Sequence, residues 1–127
     1  MKQCNKCLQD LDNSAFGRHS GANFLRPECK KCTNRLNKER RELKKKYGVA
    51  PADHVCPICL RNEEEVKGLG GVRIGSWVLD HDHKTAQFRG WLCHSCNRGL
   101  GGFNDDVQKL KRARHYLNPS KWWTFWK

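Results

Sequence analysis

The sequence predicts a small α+β fold held by cross-links at its cysteines rather than by a large apolar core. Three observations predict it. The eight cysteines fall into four Cys-x-x-Cys pairs, Cys4/Cys7, Cys29/Cys32, Cys56/Cys59 and Cys93/Cys96. Apolar residues make up 37% of the 127 positions and mean hydropathy is −0.88, so burial alone gives a thin core. Gly- and Pro-free runs of helix formers alternate with short runs rich in β-branched and aromatic residues, which supply both kinds of element.

Taken in order, residues 1–33 hold two Cys-x-x-Cys knuckles joined by a polar loop around Ser20 and Gly21. Thr33–Tyr47 lacks Gly and Pro and is rich in Arg, Lys, Glu and Leu, which predicts a basic connecting helix within residues 34–50. Leu36 and Leu43 are its main apolar residues, and Gly48 and Pro51 end it. A second unit, residues 54–118, starts with the knuckle Cys56-Pro57-Ile58-Cys59, an acidic patch (Glu63, Glu64, Glu65) and a bend at Gly68, Gly70 and Gly71. Val72–Leu79 reads as a strand, Lys84–Gln87 as a connection, and Phe88–Leu92 as a second strand. Cys93–Leu100 begins a helix stopped by Gly101 and Gly102. Asn104 is the expected cap of a last helix over Asp105–Leu117. Residues 119–127 form an aromatic tail, "KWWTFWK", expected to fold back on the domain; stacking on bases or a dimer contact are its alternatives.

No apolar run resembles a signal peptide or a membrane span, so the expectation is a cytoplasmic protein, not secreted and with no membrane partner. Disulfides do not persist there, and paired Cys-x-x-Cys elements then read as metal sites. Pairing in sequence order gives two Cys4 zinc sites: Cys4, Cys7, Cys29, Cys32 and Cys56, Cys59, Cys93, Cys96. With four thiolates each and no open position, both zinc ions are expected to be structural. Buried reduced thiols or redox-active pairs are the alternatives.

The net charge of +12 points to nucleic acid as partner. It is concentrated between Lys30 and Lys46, where six Lys and three Arg face two Glu, a local +7 in seventeen residues. Lys30, Lys31, Arg35, Lys38, Arg41, Lys44 and Lys45 are the candidate DNA phosphate contacts. A solvated helix face is the plainer alternative.

Between the two strands stand Asp80, His81, Asp82 and His83 in a row. Two acids beside two imidazoles are costly to bury, which points to chemistry. The stretch "CPICLR … LDHDHKTAQFRGWLCHSCNRGLGGFNDD … YL" resembles the recombination endonuclease VII family of phage nucleases, within the wider HNH, ββα-metal (His-Me finger) group. The resemblance runs from Cys56 to Leu117. The N-terminal "CNKCLQDLDNSAF … RPECKKC" resembles a zinc knuckle found ahead of such domains.

The resemblance implies a ββα-metal core hydrolysing phosphodiester bonds in DNA. It implies His81 as the general base, with Asp80 and Asn97 as protein ligands of one Mg²⁺ or Mn²⁺. His83 would orient the scissile phosphate or assist the leaving group, a hairpin residue bonded to backbone being the plainer alternative; Arg89 would grip a phosphate, and Gly90 would permit close strand or DNA approach. An imidazole titrates near neutral pH and suits proton transfer from water. Carboxylate and amide oxygens suit a hard divalent ion. Asp80 and His81 are strand neighbours, so sharing one site requires the chain to turn there. Asp82 is expected to turn outward or hold a backbone amide, a metal role being its alternative, and His54 and His94 to lie outside the ligand set. Asn97 is followed by Arg98, Gly99 and Leu100, without the acidic residue and long dimer-forming helix of the family's branched-DNA resolvases. The expectation is therefore a monomer nicking one strand of duplex DNA, in the host cytoplasm if phage-encoded. The alternatives are a dimeric Holliday-junction resolvase on branched DNA, a homodimer then being required, and a non-catalytic zinc-stapled nucleic-acid-binding protein.

Overall fold

The computed structural model describes residues 1–19, 24–71 and 75–119. The expected tail falls almost wholly outside these residues, as does the start of the expected Val72–Leu79 strand. The fold is small α+β, and the chain divides into two units. One comprises Met1–Pro51 with Leu79–Trp91, the other Ala52–Val78 with Leu92–Lys127.

In the first unit, β1 (Lys2–Gln3) pairs antiparallel with β2 (Asp10–Leu11), and β3 (Phe16–Arg18) with β4 (Leu25–Cys29). The turn between β1 and β2 carries the first knuckle, closed by the Cys4 N–H donating to Gln9 O and the Leu8 N–H to Cys4 O. Leu8 takes the left-handed conformation there, φ 62°. Cys4, Phe16, Cys29 and Cys32 form the small core, with Leu11, Ala15 and Leu25 against it. Three of its four buried residues are cysteines, which is why apolar content alone could not support it.

Helix α1 spans Lys30–Tyr47 and so starts three residues before the expected Thr33. The cause is a cap that the sequence pattern hides: Cys29 is the N-cap, and its Sγ accepts from the Cys32 N–H. The same cysteine thus ends β4, starts α1 and belongs to the first Cys4 set. Gly48, at φ 71°, ends the helix as expected, its N–H donating to Lys44 O. Near that end Tyr47 stacks on Phe88, centroids 4.1 Å apart, and Phe88 meets Trp91 edge-on.

The second unit repeats the device. Cys56–Leu60 forms a knuckle with the same closure, the Cys56 N–H donating to Arg61 O and the Leu60 N–H to Cys56 O, with Leu60 at φ 62°. Within the acidic patch, Glu63–Val66 forms a short helix, α2, started by a capping box between Asn62 and Glu65. That box turns Val66 fully inward, where it packs with Cys56, Leu92 and Cys93 under Leu69, Trp77 and Leu100.

Strands β5 (Trp77–His81) and β6 (Phe88–Cys93) form a two-stranded sheet. Helix α3 (His94–Gly102) follows, capped by Cys93 as α1 is capped by Cys29, and it runs through the two glycines expected to stop it. The last helix, α4, is Val107–Leu117, and its N-cap is Asp106, not Asn104. Asn104 and Asp105 adopt positive φ, 52° and 55°, and their N–H groups donate back to Gly101 O and Leu100 O. They close α3, which moves the start of α4 two residues on.

Candidate active site and cysteine centres

In each Cys4 set the four sulfurs lie within 4.8 Å of one another, and all eight cysteines carry free thiols. Sulfurs at about 2.3 Å from a tetrahedral zinc stand about 3.8 Å apart; Cys59 Sγ and Cys93 Sγ are 3.7 Å apart. The donor set and spacing therefore fit zinc at both centres. Surrounding N–H groups favour thiolates. Burial raises the Cys4 thiol, but the backbone N–H groups of Cys29, Cys7 and Lys6 outweigh it and bring it down to about 6. The guanidinium of Arg61, with Nε 3.1 Å from Cys59 Sγ, is the main cause lowering Cys59 to about 6. Burial, then the neighbouring thiols, push Cys32 and Cys96 up to about 12.

His81 is the one polar side chain fully buried among the described residues, 1% exposed. It lies at the end of β5, where Leu79 and His81 point inward and Asp80, between them, does not. The expected turn at Asp80–His81 comes one residue later. β5 continues through His81, and the reversal runs Asp82–Gln87, closed by the Asp82 N–H donating to Gln87 O and the Ala86 N–H to Asp82 O. The two neighbours consequently meet different partners. His81 Nε2 lies 3.1 Å from Glu39 Oε2. Asp80 accepts two bonds from Arg89, Nε to Oδ2 at 2.8 Å and Nη2 to Oδ1 at 3.1 Å.

Asp82 holds the reversal, as expected, accepting from the N–H groups of Lys84 and Thr85 at 2.8 and 3.0 Å. The Thr85 N–H, then that of Lys84, lowers its carboxyl below the usual range. His83 stands next to His81, ring centroids 5.2 Å apart. Its Nδ1 lies 3.3 Å from Lys6 Nζ, and its carbonyl accepts from Arg35 Nη1 at 3.2 Å. Gly90 has open space where a Cβ would sit, and what selects glycine is its φ of +147°, not close approach of a neighbour.

Lys30, Lys31, Arg35, Lys38, Arg41, Lys44 and Lys45 are all exposed on α1. At about 100° per residue they fan over the half of the helix opposite Cys32, Leu36 and Leu43. Arg35 is also tied inward, donating to Glu39 Oε1 at 2.9 Å. Asn97 is half-buried on α3, in the second unit. His94 Nε2 lies 2.7 Å from Gly75 O, and His54 meets Trp77 edge-on, so neither belongs to a Cys4 set.

Sequence reasoning missed two side chains here, Glu39 and Lys6. Glu39 had a signal: Cys32, Leu36, Glu39 and Leu43 recur at i, i+4, i+7 and i+11, the inward stripe of α1. A carboxylate in such a stripe needs a buried partner. Lys6 had none, since nothing local separates it from the other lysines.

The family model described as recombination endonuclease VII matches residues 34–119, more than half of the chain. The Gene 59 protein of Mycobacterium phage L5 is 42% identical over 66 residues, covering 50% of this chain and 35% of that protein. Its counterpart in Mycobacterium phage D29 is 41% identical over 63 residues, 49% of this chain and 33% of that protein. The chain thus spans about a third of the length of these curated relatives. Among solved structures, the ββα-Me type II restriction endonuclease Hpy99I is similar over 92% of this chain and 64% of its own, with a TM-score of 0.54 and 27% identity. No helix among the described residues is long and apolar enough to cross a membrane.

Proposed function

Because the chain belongs to the recombination endonuclease VII family, we propose that it is an HNH-type, divalent-metal-dependent DNA endonuclease that nicks one strand of duplex DNA. One observation carries the reading: a histidine buried at the end of β5 with a carboxylate against its ring. A buried imidazole with a fixed partner is the arrangement a general base needs, because its orientation is set before substrate arrives.

In this reading His81 takes a proton from the attacking water. Asp80 is the carboxylate ligand of one Mg²⁺ or Mn²⁺, and the carboxamide of Asn97 is the second protein ligand that the family pattern assigns. The donor chemistry at Asp80 fits. Its side chain is 11% exposed, and a carboxylate held that far from solvent favours a cation beside it, a place the Arg89 guanidinium takes and would share with the ion. The ion when bound offsets charge building on the phosphorane. His83 and Arg89 contact the phosphate, and the exposed cations of α1 hold the DNA backbone without reading sequence. Zinc in the two Cys4 centres is structural: it fixes the start of α1 through Cys29 and Cys32, and that of α3 through Cys93 and Cys96. If phage-encoded, the protein acts in the host cytoplasm.

The test is supercoiled plasmid incubated with protein and Mg²⁺ or Mn²⁺, beside an EDTA control and His81→Ala. Open circles formed only by the wild type with metal support the proposal. Rapid linear product points instead to paired sites and the dimeric resolvase. Metal-indifferent DNA binding without cutting leaves a zinc-stapled binding protein.

A further inference from the structure

We infer that Glu39 is a positioning residue for His81: its carboxylate holds Nε2 protonated and so leaves Nδ1 as the atom that accepts the proton of water. The inference deepens the proposed function and rests on the reading of His81 as the base. It stands on three observations within one unit. His81 is almost completely removed from solvent, so its ring orientation is set by protein groups alone. Its Nε2 lies 3.1 Å from Glu39 Oε2, across 42 residues of sequence. Glu39 is itself held, since Arg35 Nη1 donates to its other oxygen at 2.9 Å while donating to the His83 carbonyl at 3.2 Å.

The chemistry follows from donor and acceptor capacity. An ionised carboxylate only accepts, so the ring nitrogen facing it must carry hydrogen. A neutral imidazole has one N–H, and placing it at Nε2 puts the free lone pair on Nδ1. During hydrolysis the O–H bond of water breaks, its proton goes to Nδ1, and its oxygen bonds to phosphorus as the bond to the 3′ oxygen breaks. The leaving 3′ oxygen takes a proton from solvent water. The imidazolium formed keeps its Nε2–H donated to Glu39, whose negative charge faces the new positive one. Arg35 fastens α1 to the backbone of the reversal at His83, beside the point where Glu39 fastens it to the ring. The base is thereby aimed by a helix whose opposite half presents the cations proposed to carry the DNA.

The experiment compares Glu39→Gln, Glu39→Asp and His81→Ala in the full chain loaded with zinc. It measures plasmid nicking as kcat and KM, and the protonated ring nitrogen of His81 by ¹⁵N-histidine NMR, with the signal assigned by its loss in His81→Ala. A carboxamide can turn either its oxygen or its NH₂ to the ring, so Glu39→Gln should show Nδ1–H or a mixture where the wild type shows Nε2–H. Its kcat should fall by about 10²- to 10³-fold with KM within about twofold, the scale of a misdirected general base. Glu39→Asp keeps the charge and should recover part of the kcat and the Nε2–H signal. A merely structural pair would move stability but neither the tautomer nor kcat at constant KM. Full activity and Nε2–H in Glu39→Gln, with His81→Ala inactive, overturns this inference alone. An active His81→Ala overturns the base assignment and this inference with it.

Discussion

Replacing Arg89 with Met should make the protein bind a divalent ion more tightly while destabilising it without one. The guanidinium of Arg89 occupies both oxygens of Asp80, at 2.8 and 3.1 Å. The proposed ion needs that carboxylate, so part of the pair must be given up on binding. Asp80 is 11% exposed and Arg89 38%, which places the pair between a surface salt bridge and a buried one. Two charge-assisted bonds in that setting are worth about 1–2 kcal/mol. Met retains much of the stem's packing and removes the competitor, and it also removes one positive charge that repels the incoming dication. Both effects have the same sign. At about 1.4 kcal/mol per decade, the gain is roughly 5- to 30-fold in affinity. Mn²⁺ binding without DNA, followed by electron paramagnetic resonance of the free ion, reads it directly. Unfolding should show Arg89→Met melting lower than wild type without metal and recovering more with it. Unchanged or weaker Mn²⁺ binding would refute the argument, because it would mean that Asp80 is not a ligand or that Arg89 does not compete for it.

Zinc retention should depend on pH. The raised thiols of Cys32 and Cys96 hold protons at neutral pH that zinc must displace, so affinity should fall about tenfold per pH unit for each proton displaced. Below about 6 the lowered thiols of Cys4 and Cys59 protonate too and steepen the loss; release followed with a chromogenic chelator would show it, and a pH-independent affinity would contradict it. Asp106 accepts from the N–H of Gln108 and of Lys109, and the Lys109 N–H is the main cause holding its carboxyl low. Its contribution is present above the unfolded carboxyl range and lost as pH falls through the folded value. Wild type should therefore exceed Asp106→Asn in melting temperature at neutral pH. The difference should begin to shrink below about pH 4 and vanish only once pH passes below the folded value, and being a difference it cancels zinc loss common to both proteins. Gly70→Ala should cost about 1–3 kcal/mol in chemical denaturation, since a Cβ there would lie 2.6 Å from the His94 ring, which Gly75 O holds in place. A variant as stable as wild type would show that the ring can move aside.

What the sequence determined by itself was everything set by contacts a few residues apart. The Cys-x-x-Cys knuckles close on their own turns, the basic run of α1 has no residue to interrupt it, and Asp82 bonds its own loop. Helix limits were less legible where the cap was an unusual one. Cysteine serves as N-cap at Cys29 and Cys93, each of which also belongs to a Cys4 set, and Asn104 lost the capping role to Asp106 because left-handed Asn104 and Asp105 were committed to ending α3.

Only the tertiary structure decided how the Asp80–His83 row is used. From the sequence only Asp82 has a local partner, and the rule that strand neighbours diverge says only that Asp80 and His81 separate. The structure gives His81 to Glu39, 42 residues away, Asp80 to Arg89 across the hairpin, and His83 to Lys6, 77 residues away. The sequence does not name the partners in such pairings, because a buried polar group needs a hydrogen-bond partner and which one it meets depends on where the chain returns, not on the residues in between.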